Sequence, residues 1–302
     1  MLELKKSINQ SIVLPNNDRV ELFLKREDEI HSFVSGNKYR KLKYNLLEAQ
    51  KLGLKTLLTF GGAFSNHIAA VASAGRLMGF DTIGVIRGEE LLDKVSSNAT
   101  LSFAKENGMR FKFVSREDYK NKTSNIFLQK LKNEFGDFYM IPEGGTNTLA
   151  VKGCEEILSA YDGAFDYICC AVGTGGTISG LINSSKPNQQ ILGFPALKGD
   201  FLKQDISRFA LKTNWELISD YHFGGYAKIN TELIAFINHF KASHHVPLDP
   251  VYTGKMMFGI FDLINKNYFK KGAKILAIHT GGLQGILGMN ARIKNKNIPI
   301  ID

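Results

Sequence analysis

The stretch Tyr167-Ile-Cys-Cys-Ala-Val-Gly-Thr-Gly-Gly-Thr177 decides the fold, because an apolar strand-like run passes directly into a glycine turn. The same design occurs twice more: residues 55–58 precede Phe60-Gly-Gly-Ala-Phe-Ser-Asn-His67, and residues 274–278 precede His279-Thr-Gly-Gly282. Each turn opens a segment with helical character. This repetition predicts an α/β protein with an open parallel sheet, in which such turns gather at the carboxyl ends of the strands.

The glycine turns predict an anionic ligand. Helix N-termini present free N–H groups and the positive end of the helix dipole, so a phosphate is the simplest partner. Gly173, Gly175 and Gly176 let the backbone approach a ligand closely, and Thr174 and Thr177 add hydroxyl donors. The pattern is not a Walker loop, because no Gly-Lys-Ser/Thr follows. A tight strand-to-helix turn without a ligand is the alternative interpretation.

A lysine follows a further glycine turn, in Ser35-Gly-Asn-Lys-Tyr39. Lys38 enters a helix there, a fixed position that suits a lysine forming a Schiff base with an aldehyde. Phosphate turns and this lysine together predict a phosphorylated aldehyde as cofactor. The neighbouring cations Arg40, Lys41 and Lys43 are expected to favour the neutral amine of Lys38. On spacing alone, Lys38 could also be a surface lysine of a basic helix.

The composition limits the class of protein. The chain has 302 residues, of which 44% are hydrophobic, enough for one large core or two closely joined domains. Its net charge of +9 is dispersed along the sequence, which favours a solvated basic surface over nucleic-acid binding. No signal peptide and no apolar run of membrane-spanning length is evident, so no membrane partner is expected.

The cysteines and histidines indicate a protein without a metal site that is located in a reducing compartment. Cys154, Cys169 and Cys170 lack metal-ligand spacing, and Cys169 and Cys170 are adjacent on a buried-looking strand. A cytoplasmic location is therefore expected. The His244-His245 pair has no acidic or cysteine partner at ligand spacing, so no metal site is predicted.

Periodicity predicts two α/β units. A helix is predicted from about residue 39 to 52, with Asn37 as its N-cap. Alternating strands and helices from about 50 to 145 predict a small parallel sheet, and a second α/β stretch starts near residue 149. No linker separates the units, so they are expected to share an interface. Residues 199–226 give no clear secondary-structure signal.

Side chains with catalytic potential lie at two helix starts. Ser65, Asn66 and His67 offer a hydroxyl, an amide and an imidazole, and a serine there could carry a proton to or from a substrate carbon. Helix capping by Ser65 or Asn66 is the alternative interpretation. Tyr252 precedes a helix in Asp249-Pro-Val-Tyr-Thr-Gly-Lys255, although a lone tyrosine usually packs in a core or on a surface.

Together, these motifs resemble the fold-type-II pyridoxal-phosphate enzymes, in the group of D-cysteine desulfhydrase and 1-aminocyclopropane-1-carboxylate deaminase. The resemblance covers nearly the whole chain, through seven motifs in family order: Lys25-Arg-Glu-Asp28, Gly36-Asn-Lys-Tyr-Arg-Lys41, Gly62-Ala-Phe-Ser-Asn-His67, Glu143-Gly-Gly145, Gly173-Thr-Gly-Gly-Thr177, Asp249-Pro-Val-Tyr-Thr-Gly254 and His279-Thr-Gly-Gly282. It implies a tryptophan synthase β-like α/β fold, with two three-layer open-sheet domains and pyridoxal 5'-phosphate between them. The large domain would comprise residues 1–48 and 147–302, and the small domain residues 49–146.

The resemblance also implies roles for individual residues. Lys38 would form the Schiff base, Asn66 would bind the phenolic oxygen of the cofactor, and Thr280 would face its pyridine nitrogen. The phosphate would lie in a cup formed by Gly173, Thr174, Gly175, Gly176 and Thr177. Catalysis is expected from Lys38, Ser65, Tyr226 and Tyr252, and substrate binding from Ser65, Asn66, His67, Tyr226 and Tyr252.

Three positions separate the two activities of the group. This chain has His67, Thr253 and Thr280, as the desulfhydrases do, where the deaminases carry glutamine, glutamate and leucine. Opening a cyclopropane ring starts without an α-proton and benefits from an acidic group near the pyridine, whereas β-elimination removes an α-proton and expels a good leaving group.

The resemblance therefore implies a lyase that acts on D-cysteine or a related β-substituted amino acid and yields pyruvate, ammonia and sulfide. The cyclopropane deaminase is the first alternative, and a non-catalytic protein that binds pyridoxal phosphate is the second. A homodimer that acts on a small amino acid is expected.

Overall fold

The computed structural model describes residues 7–15, 17–31, 34, 36–294 and 298–302, and the strands of these residues form two sheets. In chain order the strands are β1 (Asn9–Ile12), β2 (Glu21–Lys25), β3 (Thr56–Gly61), β4 (Asp81–Arg87), β5 (Arg110–Val114), β6 (Tyr139–Ile141), β7 (Tyr167–Val172), β8 (Gln190–Pro195), β9 (Trp215–Leu217) and β10 (Lys274–Ile278). The larger sheet has the order β1-β2-β10-β7-β8-β9, and the smaller sheet has the order β5-β4-β3-β6. Paired strands run parallel, except that β1 is antiparallel to β2 at the edge.

Helices connect the strands in both units. In chain order they are α1 (Asn37–Lys51), α2 (Asn66–Met78), α3 (Ala99–Glu106), α4 (Arg116–Lys120), α5 (Asn125–Phe135), α6 (Thr148–Cys154), α7 (Gly176–Ser184), α8 (Phe201–Ser207), α9 (Thr231–His244), α10 (Thr253–Asn265) and α11 (Gly285–Ile293). None of the helices in the described part of the chain is long and apolar enough to cross a membrane.

Apolar residues cover both faces of each sheet. On β7, Cys169 belongs to one buried apolar cluster and its neighbour Ile168 belongs to another. On β3, Leu57 and Leu58 divide between two further clusters in the same way. Because successive strand residues point to opposite faces, each sheet has a packed layer on either side. The predicted α/β class with three-layer, mostly parallel sheets is confirmed.

The larger sheet receives strands from both ends of the described chain. Its strand β2 lies beside β10, with Leu24 paired to Ala277, whereas the smaller sheet uses strands from residues 56–141 alone. We propose that these sheets mark a large domain of residues 1–48 and 147–302 and a small domain of residues 49–146. Residues 1–6, 16, 32, 33, 35 and 295–297 lie outside the described part.

The structure differs from the sequence-based expectation in two respects. Strands β1, β6 and β9 were not predicted, because runs of four, three and three residues are too short to show alternation. The first helix begins at Asn37 with Gly36 as its N-cap, so the prediction of Asn37 as N-cap was wrong. The side chain of Asn37 bonds Thr177 instead (2.8 Å).

Candidate active site

The three glycine turns meet at one cavity, to which both sheets contribute turns. Turns that follow the carboxyl ends of parallel strands converge in this way in open α/β sheets. The lining residues are Asn37, Lys38, Lys41, Asn66, Gly144, Ala171, Val172, Gly173, Thr174, Gly175, Thr177, Ile178, Tyr252, Thr280, Gly281 and Gly282. Of the residues predicted for the site, Ser65, His67, Gly176 and Tyr226 do not line this cavity.

A close backbone contact places Lys38. Gly36, directly before α1, has a left-handed φ of 61°, and a Cβ there would lie 2.1 Å from the carbonyl oxygen of Thr280. Glycine is therefore required at this position, both for its conformation and for space. The contact fixes the first turn of α1, which carries Lys38, against the third glycine turn. Ser35 of the same motif lies outside the described residues.

The amine of Lys38 has an unusually low pKa. Burial and then the nearby charge of Lys41 lower this pKa to about 7. The other two neighbouring cations, Arg40 and Lys43, pair with carboxylates at 2.8 and 2.6 Å. Lys41 is thus the one of the three whose positive charge acts on Lys38. An amine with a pKa near 7 is partly neutral at neutral pH and available as a nucleophile.

Lys41 is a buried cation whose partners are all neutral. Its side chain is 2% exposed. Its Nζ donates hydrogen bonds to the carbonyl oxygen of Gly144 (3.0 Å) and to the hydroxyls of Thr146 (3.0 Å) and Thr174 (3.3 Å). Burial lowers the pKa of Lys41, and a phosphate in the cavity would favour its protonated form. This donor set therefore fits a phosphorylated cofactor. The sequence signal was the spacing of three residues from Lys38, which places both lysines on one helix face.

The turn after β7 forms a cup at the N-terminus of α7. Gly175 has a left-handed φ of 81°, and a Cβ at Gly176 would lie 2.7 Å from the hydroxyl of Thr146. Thr177 Oγ1 accepts a hydrogen bond from the side-chain amide of Asn37, which links the cup to α1. A cup of this kind, with a helix N-terminus behind it, is suited to bind phosphate.

Ser65 and Asn66 stand at the start of α2. Ser65 Oγ accepts a hydrogen bond from the backbone N–H of Ile68 (3.3 Å), so this serine caps the helix. Asn66 lies against Gly282, where a Cβ would approach its Nδ2 to 2.7 Å, and its Oδ1 accepts from Gln284 Nε2 (3.2 Å). Asn66 therefore joins the first glycine turn to the third and contributes an amide to the cavity.

His67 lies behind the cavity wall. The residue is buried, its Nε2 is 2.9 Å from Thr59 Oγ1, and its ring packs against Gly145, where a Cβ would approach the ring to 2.8 Å. Burial, together with the charges of Lys38 and Lys41, lowers the pKa of His67 well below its usual value. The imidazole is therefore neutral and supports the turn at Gly145. A direct contact of His67 with the substrate stays a prediction.

Two tyrosines lie next to each other at the outer side of the cavity. Tyr252 lines the cavity, and its ring lies against Gly173, where a Cβ would approach it to 3.1 Å. Tyr226 is 47% exposed, and its ring meets that of Tyr252 at an angle of 66°, with centroids 6.3 Å apart. Burial raises the pKa of both phenols, so both are protonated at neutral pH.

Asp249 builds the turn that carries Tyr252, a role that sequence reasoning missed. Its Oδ1 accepts hydrogen bonds from the backbone N–H groups of Val251 (2.9 Å) and Tyr252 (2.8 Å). Its Oδ2 accepts from the N–H (2.8 Å) and the hydroxyl (2.6 Å) of Thr253. The signal was present in Asp249-Pro-Val-Tyr252, because aspartate commonly binds backbone N–H groups shortly after it.

The chemistry of the cavity defines the class of protein. An amine that is partly neutral near pH 7 suits attack on an aldehyde, and the charge of Lys41 suits a phosphate, so the site fits an enzyme that uses a phosphorylated aldehyde cofactor. The family model described as pyridoxal-phosphate dependent enzyme matches residues 8–281, and the chain belongs to this family. The predicted family and the predicted cofactor, pyridoxal 5'-phosphate, are confirmed.

Relatives carry the names of both predicted activities. A Pyrococcus horikoshii protein provisionally named 1-aminocyclopropane-1-carboxylate deaminase is 33% identical over 298 residues, which cover 90% of this chain and 88% of that protein. The bifunctional D-cysteine desulfhydrase/1-aminocyclopropane-1-carboxylate deaminase of Arabidopsis thaliana, mitochondrial, is 32% identical over 300 residues, which cover 90% of this chain and 74% of that protein. A crystal structure of an ACC deaminase homologue matches with a TM-score of 0.84 and 28% identity, over 97% of this chain and 94% of that one.

Borohydride reduction of the holoenzyme is expected to link pyridoxal phosphate to Lys38, because this amine lines the cavity and its pKa, lowered to about 7, favours attack on the aldehyde. Lys38→Ala should bind the cofactor without a covalent link and lose turnover. Mass spectrometry of the digested protein locates the adduct. Lys43→Ala is the control, since Lys43 pairs with Glu156 and should leave the adduct in place. A wild-type adduct on another lysine would contradict the assignment.

Lys41→Met is expected to weaken the binding of pyridoxal phosphate on the order of 10- to 100-fold, because it removes a charged donor to the phosphate. Binding of pyridoxal, which lacks the phosphate, should hardly change. Absorbance titrations of the apoenzyme with both compounds give the two dissociation constants, and their ratio measures the contribution of the phosphate. Lys43→Met should leave both affinities unchanged. Equal weakening for the two compounds would mean that Lys41 supports the shape of the site and not the phosphate.

Proposed function

We propose that the enzyme is a D-cysteine desulfhydrase, which acts on D-cysteine or a related β-substituted amino acid. One observation carries the proposal: no acidic side chain is among the described residues that line the cavity. The third glycine turn instead presents Thr280, an uncharged residue, at the position that the resemblance places opposite the pyridine nitrogen. A cavity wall without an acidic side chain, with the neighbouring Asp249 carboxylate bonded to the turn that carries Tyr252, suits the expulsion of a good leaving group better than the opening of a cyclopropane ring.

The chain's own residues supply the proton transfers that β-elimination requires. Pyridoxal phosphate, when bound, supplies an electron sink that acidifies the α-proton of an amino acid. Lys38 Nζ, which lines the cavity, is suited to accept that proton. Sulfide then leaves the β-carbon, so that D-cysteine and water give pyruvate, ammonia and hydrogen sulfide. Tyr252 is the proposed proton carrier near the substrate, and Ser65 is the next candidate.

The surroundings of Thr253 favour the desulfhydrase over the deaminase. Thr253 is fully buried, and its hydroxyl donates to Asp249 Oδ2. The glutamate that the deaminases carry here would bring a second carboxylate against Asp249, and like charges in a buried place repel each other. The deaminase pattern would therefore require further changes around this turn. The name of the Arabidopsis relative includes both activities, so the deaminase is the second candidate.

We further propose that the enzyme is a cytoplasmic homodimer. Its three cysteines are buried free thiols, which are typical of a reducing compartment. The dimer follows from the resemblance, and sedimentation velocity at several protein concentrations tests it.

Assays of the purified holoenzyme against four substrates test the proposed function. We expect sulfide and pyruvate from D-cysteine and little or no 2-oxobutanoate from 1-aminocyclopropane-1-carboxylate. L-Cysteine and D-serine show how far stereochemistry and the leaving group matter. Turnover of the cyclopropane acid above that of D-cysteine would establish the deaminase in place of the desulfhydrase.

Tyr252→Phe is expected to lower turnover on the order of 100-fold, because the phenol hydroxyl is proposed to move a proton near the substrate. Cofactor occupancy should hardly fall, since the ring that packs on Gly173 remains. Steady-state kinetics beside a cofactor titration separates the two effects. Tyr268→Phe, which removes a hydroxyl bound to Glu216, serves as the control. Equal losses of cofactor binding and turnover would make Tyr252 structural.

A further inference from the structure

The turn around Tyr226 has an unusual backbone. Phe223 and Ala227 have left-handed φ angles of 53° and 54°, and the intervening Gly224 and Gly225 have φ angles of 88° and 115°. Residues other than glycine adopt this conformation at a cost in free energy, so contacts from elsewhere must hold the turn. We name residues 222–227 the tyrosine turn.

Lys255 of α10 binds main-chain carbonyl groups of the tyrosine turn. Its Nζ donates hydrogen bonds to the carbonyl oxygens of His222 and Gly225, both at 2.8 Å. The side chain is 2% exposed, and burial lowers its pKa to about 8, although the charge of Asp249 partly opposes this. Burying an ammonium group is unfavourable unless its donors are satisfied. Here two of them are satisfied by main-chain acceptors of a strained turn.

Helix α10 meets this region at two further positions. Phe258 packs edge-to-face on Phe223, with ring centroids 5.0 Å apart. Asp262 accepts a hydrogen bond from the hydroxyl of Tyr221, directly before the tyrosine turn (2.7 Å). Positions 255, 258 and 262 follow helical spacing and lie on one face of α10. The same helix begins directly after Tyr252, so one element supports both tyrosines.

We propose that Lys255 is a positioning residue for Tyr226, because it holds the tyrosine turn closed through two carbonyl groups and so keeps the Tyr226 ring against Tyr252. The functional part of this inference rests on the proposed function and on the substrate-binding role that the family resemblance implies for Tyr226. The structural part does not depend on it. The turn also has a hydrogen bond of its own, from Gly225 N–H to the His222 carbonyl (3.0 Å), and one from Arg292 to the Ala227 carbonyl (3.3 Å). Without the ammonium group, we expect the turn to open more often and the Tyr226 ring to lose its fixed place against Tyr252.

Hydrogen exchange of the holoenzyme tests the structural part without any substrate. In Lys255→Met, the backbone amides of residues 222–228 should exchange on the order of 10-fold faster, because two hydrogen bonds to the turn are lost. Lys212→Met is the matched control, since Lys212 also donates to a main-chain carbonyl, that of Ser185. Unchanged exchange in Lys255→Met would overturn the proposal.

A rescue variant distinguishes a specific role of Lys255 in holding the tyrosine turn from a general loss of structure. Ala227→Gly removes the conformational cost at one left-handed position, so in the Lys255→Met background it should restore part of the slow exchange. If Lys255→Met does not fold, Lys255→Gln, which keeps a neutral donor, gives the same comparison. Faster exchange throughout the protein, without rescue by Ala227→Gly, would show that Lys255 is structural and would overturn its assignment to Tyr226.

Kinetics on a substrate that the wild type turns over tests the functional part. Lys255→Met should lower kcat/KM on the order of 10- to 100-fold, because a displaced group costs rate steeply, and cofactor occupancy should not change. In the Tyr226→Ala background, Lys255→Met should have little further effect, since the residue that it positions is gone. Additive losses would overturn the link to Tyr226. A wild type without D-cysteine turnover contradicts the proposed function alone, because the exchange results stand apart from it.

Discussion

The buried ammonium group of Lys41 is the interaction on which the arrangement of the site depends. It lies on α1 and binds Gly144, in the turn after β6 of the smaller sheet, and Thr174, in the turn after β7 of the larger sheet. A buried cation with neutral partners is costly, and an anion in the cup would relieve that cost. Binding of the cofactor phosphate and the association of the two sheets are therefore linked, since a ligand stabilises the arrangement that binds it.

Close contacts at glycines explain why three turns from different parts of the chain reach one cavity. Gly36 touches the backbone of Thr280, and Gly282 touches Asn66. A Cβ at Gly36 would push the neighbouring turns apart, because the opposing atom is a main-chain oxygen. At Gly282 a Cβ would displace the side-chain amide of Asn66, and the left-handed φ of 91° also favours glycine. Because these glycines lack a side chain, the turns can approach each other closely. The close approach positions Thr280 beside Gly36 and Asn66 beside Gly282.

Local sequence patterns were sufficient to predict the α/β class and most of the cavity lining, because strand, glycine turn and helix N-terminus are adjacent in the chain. The effect of Lys41 on Lys38 was predicted from their spacing, but the hydrogen-bond partners of Lys41 and Lys255 could not be, because these partners lie more than 25 positions away in sequence and depend on how the elements pack. His67 illustrates the same limit. Its position beside Ser65 and Asn66 suggested a contact with the substrate, but the first turn of α2 directs its ring towards Thr59.

The two lysines on the first turns of α1 have different electrostatic roles: Lys41 favours the phosphate, and Lys38 provides the partly neutral amine. Lys41 disfavours a second positive charge nearby, and this effect adds to burial in lowering the pKa of Lys38 to about 7. Before the cofactor binds, Lys38 is therefore held partly neutral, which is the state that attacks an aldehyde. A phosphate in the cup would compensate Lys41 and reduce its repulsion of a protonated Lys38. Lys38 would therefore react with the aldehyde as a partly neutral amine before the phosphate is bound. With the phosphate bound, the pKa of Lys38 would rise, which favours its acceptance of a proton.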